Sequence, residues 1–443
     1  MKLTVNLCLY MASAILACLP VLYLSQHVPS LGKTDFEPTI IAAKLVNQGH
    51  RDAVYANAPY SDNRNPDWIR EETMLTAGTY NTVYAYSPLY LRFFSPLVRT
   101  FSYDNLVYAL LVINLLALGL FAALLALLLP DDSRFRAAGI VLVVSANSAM
   151  AALLLGQNTL PFVLSCFAFY YAINGQRTIL ACLAFGAAIL MKPWAPVLLA
   201  FPFFKRDYFH AGLLAILFIS VTAVTWFLEP DLLQGFLKIS HQHSDIRILA
   251  YNNYSLAAAL QRLALHNWSI YQNWKIAPVE PVVGFGLRLL IAAGAVFAGW
   301  LVRRDYVRLL AACVLFFALS RVFWDHYSLL FLPLIVYELK QLWQDRQRAI
   351  FWIGLAFSLL VYYPGHMTIY VRIFTTLYPL TSQFTAQKMV ALFSIVPSAL
   401  FIGALLVGCW RDGVFREWRT RVFDFQFEMA QLRRAHQRLL NRS

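Results

Sequence analysis

This chain is poor in charge. Charged residues are 13% of its 443 residues and hydrophobic residues 60%, where soluble domains carry about 25% and about 45–50%. A single soluble core cannot hide that much apolar surface, which excludes a soluble enzyme or binding module. Acidic residues are the scarcer sign, 23 Asp and Glu against 36 Lys and Arg, a formal net charge of +13. No basic stripe runs along a polar segment, so no nucleic-acid partner is expected. The basic residues fall instead in short clusters between apolar runs, the habit of inward-facing membrane loops. Cysteine is sparser still, with six residues. Cys8, Cys18, Cys166, Cys182, Cys313 and Cys409 all lie inside apolar runs and form no C-x-x-C pair. Neither a disulfide framework nor a zinc centre follows from that arrangement. A Gly-rich phosphate loop is also missing, which leaves a P-loop nucleotide site without support. His241 and His243 form only a lone H-x-H, weak as a metal signal and read as solvated. No cofactor and no metal are expected.

What is present is a series of long apolar runs, near 3–26, 105–129, 137–155, 159–174, 210–228, 281–302, 306–321, 327–342, 350–366 and 389–410. The first is longer than a signal-peptide core and has no small-residue cleavage site, so it reads as a retained helix. The stretch 178–204 is broken at Lys192-Pro193-Trp194-Ala195-Pro196. Proline ends or kinks a helix, and a lysine at mid-bilayer is costly. Splitting the stretch into two short helices with Lys192 at the turn gives about twelve spans. With the N-terminus cytoplasmic, the split puts Arg134 and Arg136, Arg177, Lys205 and Arg206, Arg303, Arg304 and Arg308, and Lys340, Arg346 and Arg348 inside. A single helix over 178–204 would invert every later loop, against the positive-inside rule.

The expected architecture is therefore an all-α polytopic membrane protein with one membrane domain over 1–410 and a basic cytoplasmic tail over 411–443, suited to anionic headgroups. Long outer segments cover about 28–104, 229–280 and 367–388, with amphipathic pieces at Glu37–Val46 and Leu256–Leu265 read as interfacial helices.

On this topology the unusual polar residues gather on the outer face. Asp35 follows the first span at the membrane–water boundary. Tyr86-Ser87-Pro88 closes the same loop, Gly156-Gln157-Asn158 and Lys192 mark two outer turns, and Asn253 lies in the second long loop. Arg321, Trp324, Asp325 and His326 link two later spans. Each has a bland reading: Asp35 a solvated carboxylate, Gly156-Gln157-Asn158 a turn, Lys192 a snorkelling cation, Arg321 and His326 helix-end partners of Asp325. Their convergence on one face is the informative point. A carboxylate suits deprotonation of a hydroxyl, and nearby cations suit a leaving phosphate. Tyr86, Gln157, Asn158, Asn253 and Trp324 suit a sugar held by stacking and hydrogen bonds.

In order and spacing, Asp35-Phe36 with Ala42-Ala43 and Gly49, then Tyr86-Ser87-Pro88-Leu89, Gly156-Gln157, Gly186 through Lys192-Pro193, Asn253-Tyr254-Ser255-Leu256 and Trp324-Asp325-His326 resemble glycosyltransferase family 87. That is a GT-C class of polyprenyl-phosphate-sugar-dependent, mannosyltransferase-like bacterial proteins. The resemblance implies a GT-C fold in the bacterial plasma membrane, an outer-facing site, a polyprenyl-phosphate sugar donor (commonly mannose), a lipid or glycan acceptor, and inversion at the anomeric carbon. It gives Asp35 the role of general base and places Lys192, His326 and Arg321 near the donor phosphate. Glu37 departs from the pattern, as a second carboxylate or a surface charge, and Tyr55–Tyr80 matches no part of it. The alternative is a transporter or flippase of lipid-linked glycans. It would be expected to place charges within several spans and show related halves. Neither is visible here.

Overall fold

The computed structural model describes residues 35–56, 65–76, 84, 86–129, 133–192, 194–245, 253–264, 282–320, 322–362 and 395–417. The expected first span, the outer segment 367–388, Arg321 and most of the basic tail lie outside them. Among the described residues the chain is all-α, with one isolated bridge between Asn253 and Trp324. Among these residues four helical stretches are long and apolar enough to cross a membrane: Tyr103–Leu127, Phe135–Leu155 (two helices in line, parted at Ala146), Tyr208–Leu228 and Val282–Leu301. Shorter apolar helices (Thr159–Asn174, Thr178–Met191, Arg348–Tyr362 and Val396–Arg411) pack with them, and Asp305–Leu319 is buried along nearly its whole length.

Two apolar stretches are interrupted, one where the sequence predicts a break and one where it predicts none. The 178–204 stretch breaks at Lys192, which is extended (φ −140°, ψ 123°) because the residue before proline is steered away from helix. The second break falls inside a run read as one continuous span. The helix Ser133–Ser145 ends, Ala146 takes ψ 135°, and a new helix runs over Asn147–Leu155. Serine and asparagine around that point offer the backbone competing hydrogen bonds.

The amphipathic pieces also differ from expectation. Glu37–Gln48 buries Ile40, Ile41, Ala42, Ala43 and Leu45 under its neighbours, and Leu256–Ala259 is buried in the same way. Both are packed inside the protein because other helices cover their apolar faces. Pro88–Thr100, by contrast, leaves apolar residues exposed, with Phe93 65% and Leu97 41% exposed.

The helices Thr159–Asn174, Thr178–Met191, Asp305–Leu319 and Leu332–Gln344 run between two unlike ends. One end is basic: Lys205 pairs with Asp305 at 3.1 Å, Arg304 with Asp412 at 3.6 Å, and Arg411 with Asp345 at 2.8 Å and Glu338 at 3.1 Å. The other end holds Asp35, Gln157, Lys192 and the segment 322–330. Arg411 and Glu338 are 5% and 3% exposed, so this pair ties the last helix to Leu332–Gln344 in a dry setting. Arg411→Ala strands the Glu338 carboxylate, and removal of one partner of a buried pair costs about 3–5 kcal/mol. Thermal unfolding in detergent should show a clear drop in Tm for this variant, relieved in part by adding Glu338→Gln.

Candidate active site

The site is built on one helix end. Helix Asn147–Leu155 closes with Gly156 at φ +69°, where a side chain would be strained. The Gly156 N–H donates to the Leu153 carbonyl at 3.3 Å and the Gln157 N–H to Ala152 at 2.9 Å, a Schellman closure. This leaves the Leu155 carbonyl, which accepts the Asp35 N–H at 2.8 Å. Asp35 is therefore fixed to the same turn that carries Gln157, 122 positions away.

The Gln157 side chain links the site. Its Nε2 donates to Asp35 Oδ2 in a short hydrogen bond. Its Oε1 accepts from Lys192 Nζ at 3.3 Å and from the Tyr86 hydroxyl at 3.4 Å. The Lys192 ammonium sits over two rings, 5.0 Å from Tyr86 and 5.2 Å from Tyr327, a cation–π setting on a buried side chain. Asn158 Nδ2 donates to the Met191 carbonyl at 3.3 Å and so holds the helix end that presents Lys192.

A second group stands beside it. Asn147, freed by the break at Ala146, donates through Nδ2 to Asp325 Oδ2 at 3.3 Å. Asp325 Oδ1 accepts the His326 N–H at 2.8 Å and lies 3.5 Å from His326 Nδ1. His326 is buried, and neither ring nitrogen has a hydrogen-bond partner among the described residues. Buried polar atoms in a folded chain nearly all find a partner, so this pair marks His326 as a candidate binding position. The 322–330 segment and the helix end before it are each held by a buried polar side chain. Asn253 Oδ1 accepts from the Phe323 N–H at 2.9 Å and the Ser255 N–H at 3.1 Å. The buried Arg288 donates to the Ala318 and Leu319 carbonyls at 2.9 and 2.7 Å. That bond set accounts for an arginine within an apolar helix.

Burial pushes the Asp35 carboxyl above its usual range, against the pull of the Gln157 hydrogen bond and of His326 and Lys192, with Asp325 adding to the rise. Burial lowers the Lys192 ammonium to about 7, while Asp35 draws it upward. Burial thus works against the charged form of both groups, a pattern associated with reactive sites.

Of the residues singled out in the sequence, the structure brings Asp35, Tyr86, Gln157 and Lys192 into direct contact. His326 lies within electrostatic reach of Asp35. Asn158 acts on the helix end, and Asn253 is fully buried as a clamp opposite the half-buried Trp324. Arg321 is outside the described residues. Glu37 is no surface charge: it is buried in the first turn of its helix and accepts the Tyr103 hydroxyl at 3.1 Å. Tyr327 and Asn147 were not singled out. Tyr327 follows Asp325-His326 directly, and Asn147 is a polar residue inside an apolar run, a recognisable signal. Among the described residues no three His, Cys, Asp or Glu side chains gather as metal ligands.

A family profile described as glycosyltransferase family 87 matches residues 84–333. That stretch is more than half of the chain. It includes Tyr86, Gln157, Lys192, Asn253 and His326 and begins after Asp35. No curated protein and no solved structure matches.

Proposed function

The chain belongs to glycosyltransferase family 87, and from that premise we propose that it moves a hexose from a polyprenyl-phosphate donor to a hydroxyl of a lipid or glycan acceptor, at the outer face of a bacterial plasma membrane. Mannose is the sugar the sequence resemblance implies. The observation that carries this reading is the Asp35–Gln157–Lys192 chain. It sets a carboxylate and an amine side by side at the end of the bundle opposite the basic clusters. Under the positive-inside rule that polar end faces outward. Nucleotide sugars are absent there, so the donor is carried by a lipid phosphate.

In the proposed reaction the acceptor oxygen attacks the anomeric carbon from the face opposite the phosphate. The hydroxyl proton passes to the Asp35 carboxylate. The carbon–oxygen bond to phosphate breaks, and its electron pair leaves on the polyprenyl phosphate. Lys192, charged below about 7, and His326, whose ring nitrogens have no hydrogen-bond partner among the described residues, would stabilise that developing charge. Attack from the opposite face inverts the anomeric centre. Asp35 then returns its proton to water.

The reading is tested by mass spectrometry of envelope glycolipids and glycans from cells with and without the gene. A glycolipid or glycan that lacks one hexose in the deleted strain is expected, restored by the intact gene. An unchanged glycolipid and glycan profile contradicts it.

A further inference from the structure

A sugar was the partner expected of Gln157 from sequence, yet its amide is occupied by protein at both ends. The side chain is 8% exposed. Its nitrogen donates to a carboxylate and its oxygen accepts from an ammonium and a phenol. The charges dictate which end is which. Turned over, the amide would set its NH2 against the Lys192 ammonium and its oxygen against the Asp35 carboxylate, two repulsive contacts for two attractive ones. A glutamine is the side chain that can meet both charges in one plane. A carboxylate would repel Asp35, and an amine would repel Lys192.

We propose that Gln157 is a positioning residue, a polar spacer that holds Asp35 and Lys192 in a shared network while keeping them from closing into a direct ion pair. This rests on the transfer reaction proposed above. A buried carboxylate and ammonium left to themselves attract strongly. Once paired, the carboxylate is a poorer base and the ammonium is turned from the leaving phosphate. The spacer leaves the outer lone pairs of Asp35 for a hydroxyl and the outer protons of Lys192 for a phosphate. The rigid Schellman turn that supplies Gln157 also fixes Asp35 through Leu155, so the spacing is set by one helix end.

Gln157→Ala opens the gap and lets the pair close. Misplacement of this size costs on the order of 10²-fold in kcat. The pH profile separates a spacer from a simple hydrogen-bond donor. Asp35 faces Lys192, His326 and Asp325, with the Tyr86 and Tyr327 hydroxyls also in reach. Direct pairing with Lys192 favours the charged carboxylate and moves the acid limb of kcat/KM to lower pH. Loss of a donor alone moves that limb to higher pH, and that result overturns the proposal.

A second measurement does not depend on turnover. Dicyclohexylcarbodiimide activates a buried carboxyl, and an adjacent neutral amine attacks it. An amide forms, the carboxyl oxygen leaves on the urea, and the chain loses one water in mass. Peptide mass spectrometry is expected to find an Asp35–Lys192 crosslink in Gln157→Ala and little in the unsubstituted protein. Gln157→Asn, one methylene shorter and still polar, serves if the alanine variant does not fold, with the same result expected. Equal crosslinking in the unsubstituted protein overturns the spacer. So does an uncrosslinked variant whose Asp35 carries the N-acylurea adduct. If the crosslink pattern holds while purified protein transfers no sugar, the transfer reading fails and the spacer stands.

Discussion

Asp35→Asn is expected to lower the transfer rate by about 10²–10⁴-fold, the loss that follows removal of a positioned general base. The substitution keeps the shape of the side chain, its backbone bond to Leu155 and an oxygen for the Gln157 amide, so folding and insertion should survive. Thermal unfolding of the purified variant therefore belongs beside its kinetics. Unchanged Tm with turnover reduced by that factor is the expected pair of results. Glu37 cannot take over the role, because it is buried and bonded to Tyr103. The pH dependence has a definite sign. Because burial raises the Asp35 carboxyl above its usual range, the base is lost by protonation as pH falls, earlier than an exposed aspartate would lose it. The acid limb of kcat/KM in the unsubstituted protein is expected to report this group. Normal turnover by Asp35→Asn with purified lipid-linked sugar would remove Asp35 from the chemistry.

Lys192→Met is expected to lower kcat/KM by about 10²–10³-fold, the range for deleting one preorganised donor to a developing negative charge. Methionine keeps the apolar stem between the Tyr86 and Tyr327 rings and removes the charge. Burial sets the Lys192 ammonium near pH 7, so its charge is present below that value and is lost as pH rises through it. The unsubstituted protein should therefore show an alkaline limb in kcat/KM near neutrality, and Lys192→Met should abolish that limb along with most of the rate. An alkaline limb that persists in the methionine variant would assign it to another group.

Much of this arrangement was legible in the sequence, for identifiable reasons. Apolar run length located Tyr103–Leu128, Tyr208–Leu228 and Val282–Leu301 within a few residues, because a membrane span has a length set by the bilayer. Pro193 marked the break at Lys192, since the residue before proline resists helix. The break at Ala146 was not read, although Ser145 and Asn147 flank it. That Asn147 meets Asp325, 178 positions away, is encoded by no local pattern. The same holds for Glu37–Gln48. Its amphipathic pattern fits a surface helix, and only the helices folded over it decide that it is buried. Within the site, residue type pointed to Asp35, Lys192 and His326 as chemical groups. It did not reveal that Gln157 and Asn253 are bonded to protein partners, because a polar side chain in sequence carries no record of what it will face.

The proposal as a whole is tested most directly with purified protein in proteoliposomes, supplied with polyprenyl-phosphate mannose labelled in the sugar and an extract of envelope lipids and glycans. Label appearing on a hydroxyl-bearing lipid or glycan, matched mole for mole by free polyprenyl phosphate and absent with Asp35→Asn, is the result this account predicts. Label that crosses the bilayer still attached to its polyprenyl phosphate, with no acceptor product, would contradict it and make the protein a carrier of lipid-linked sugar.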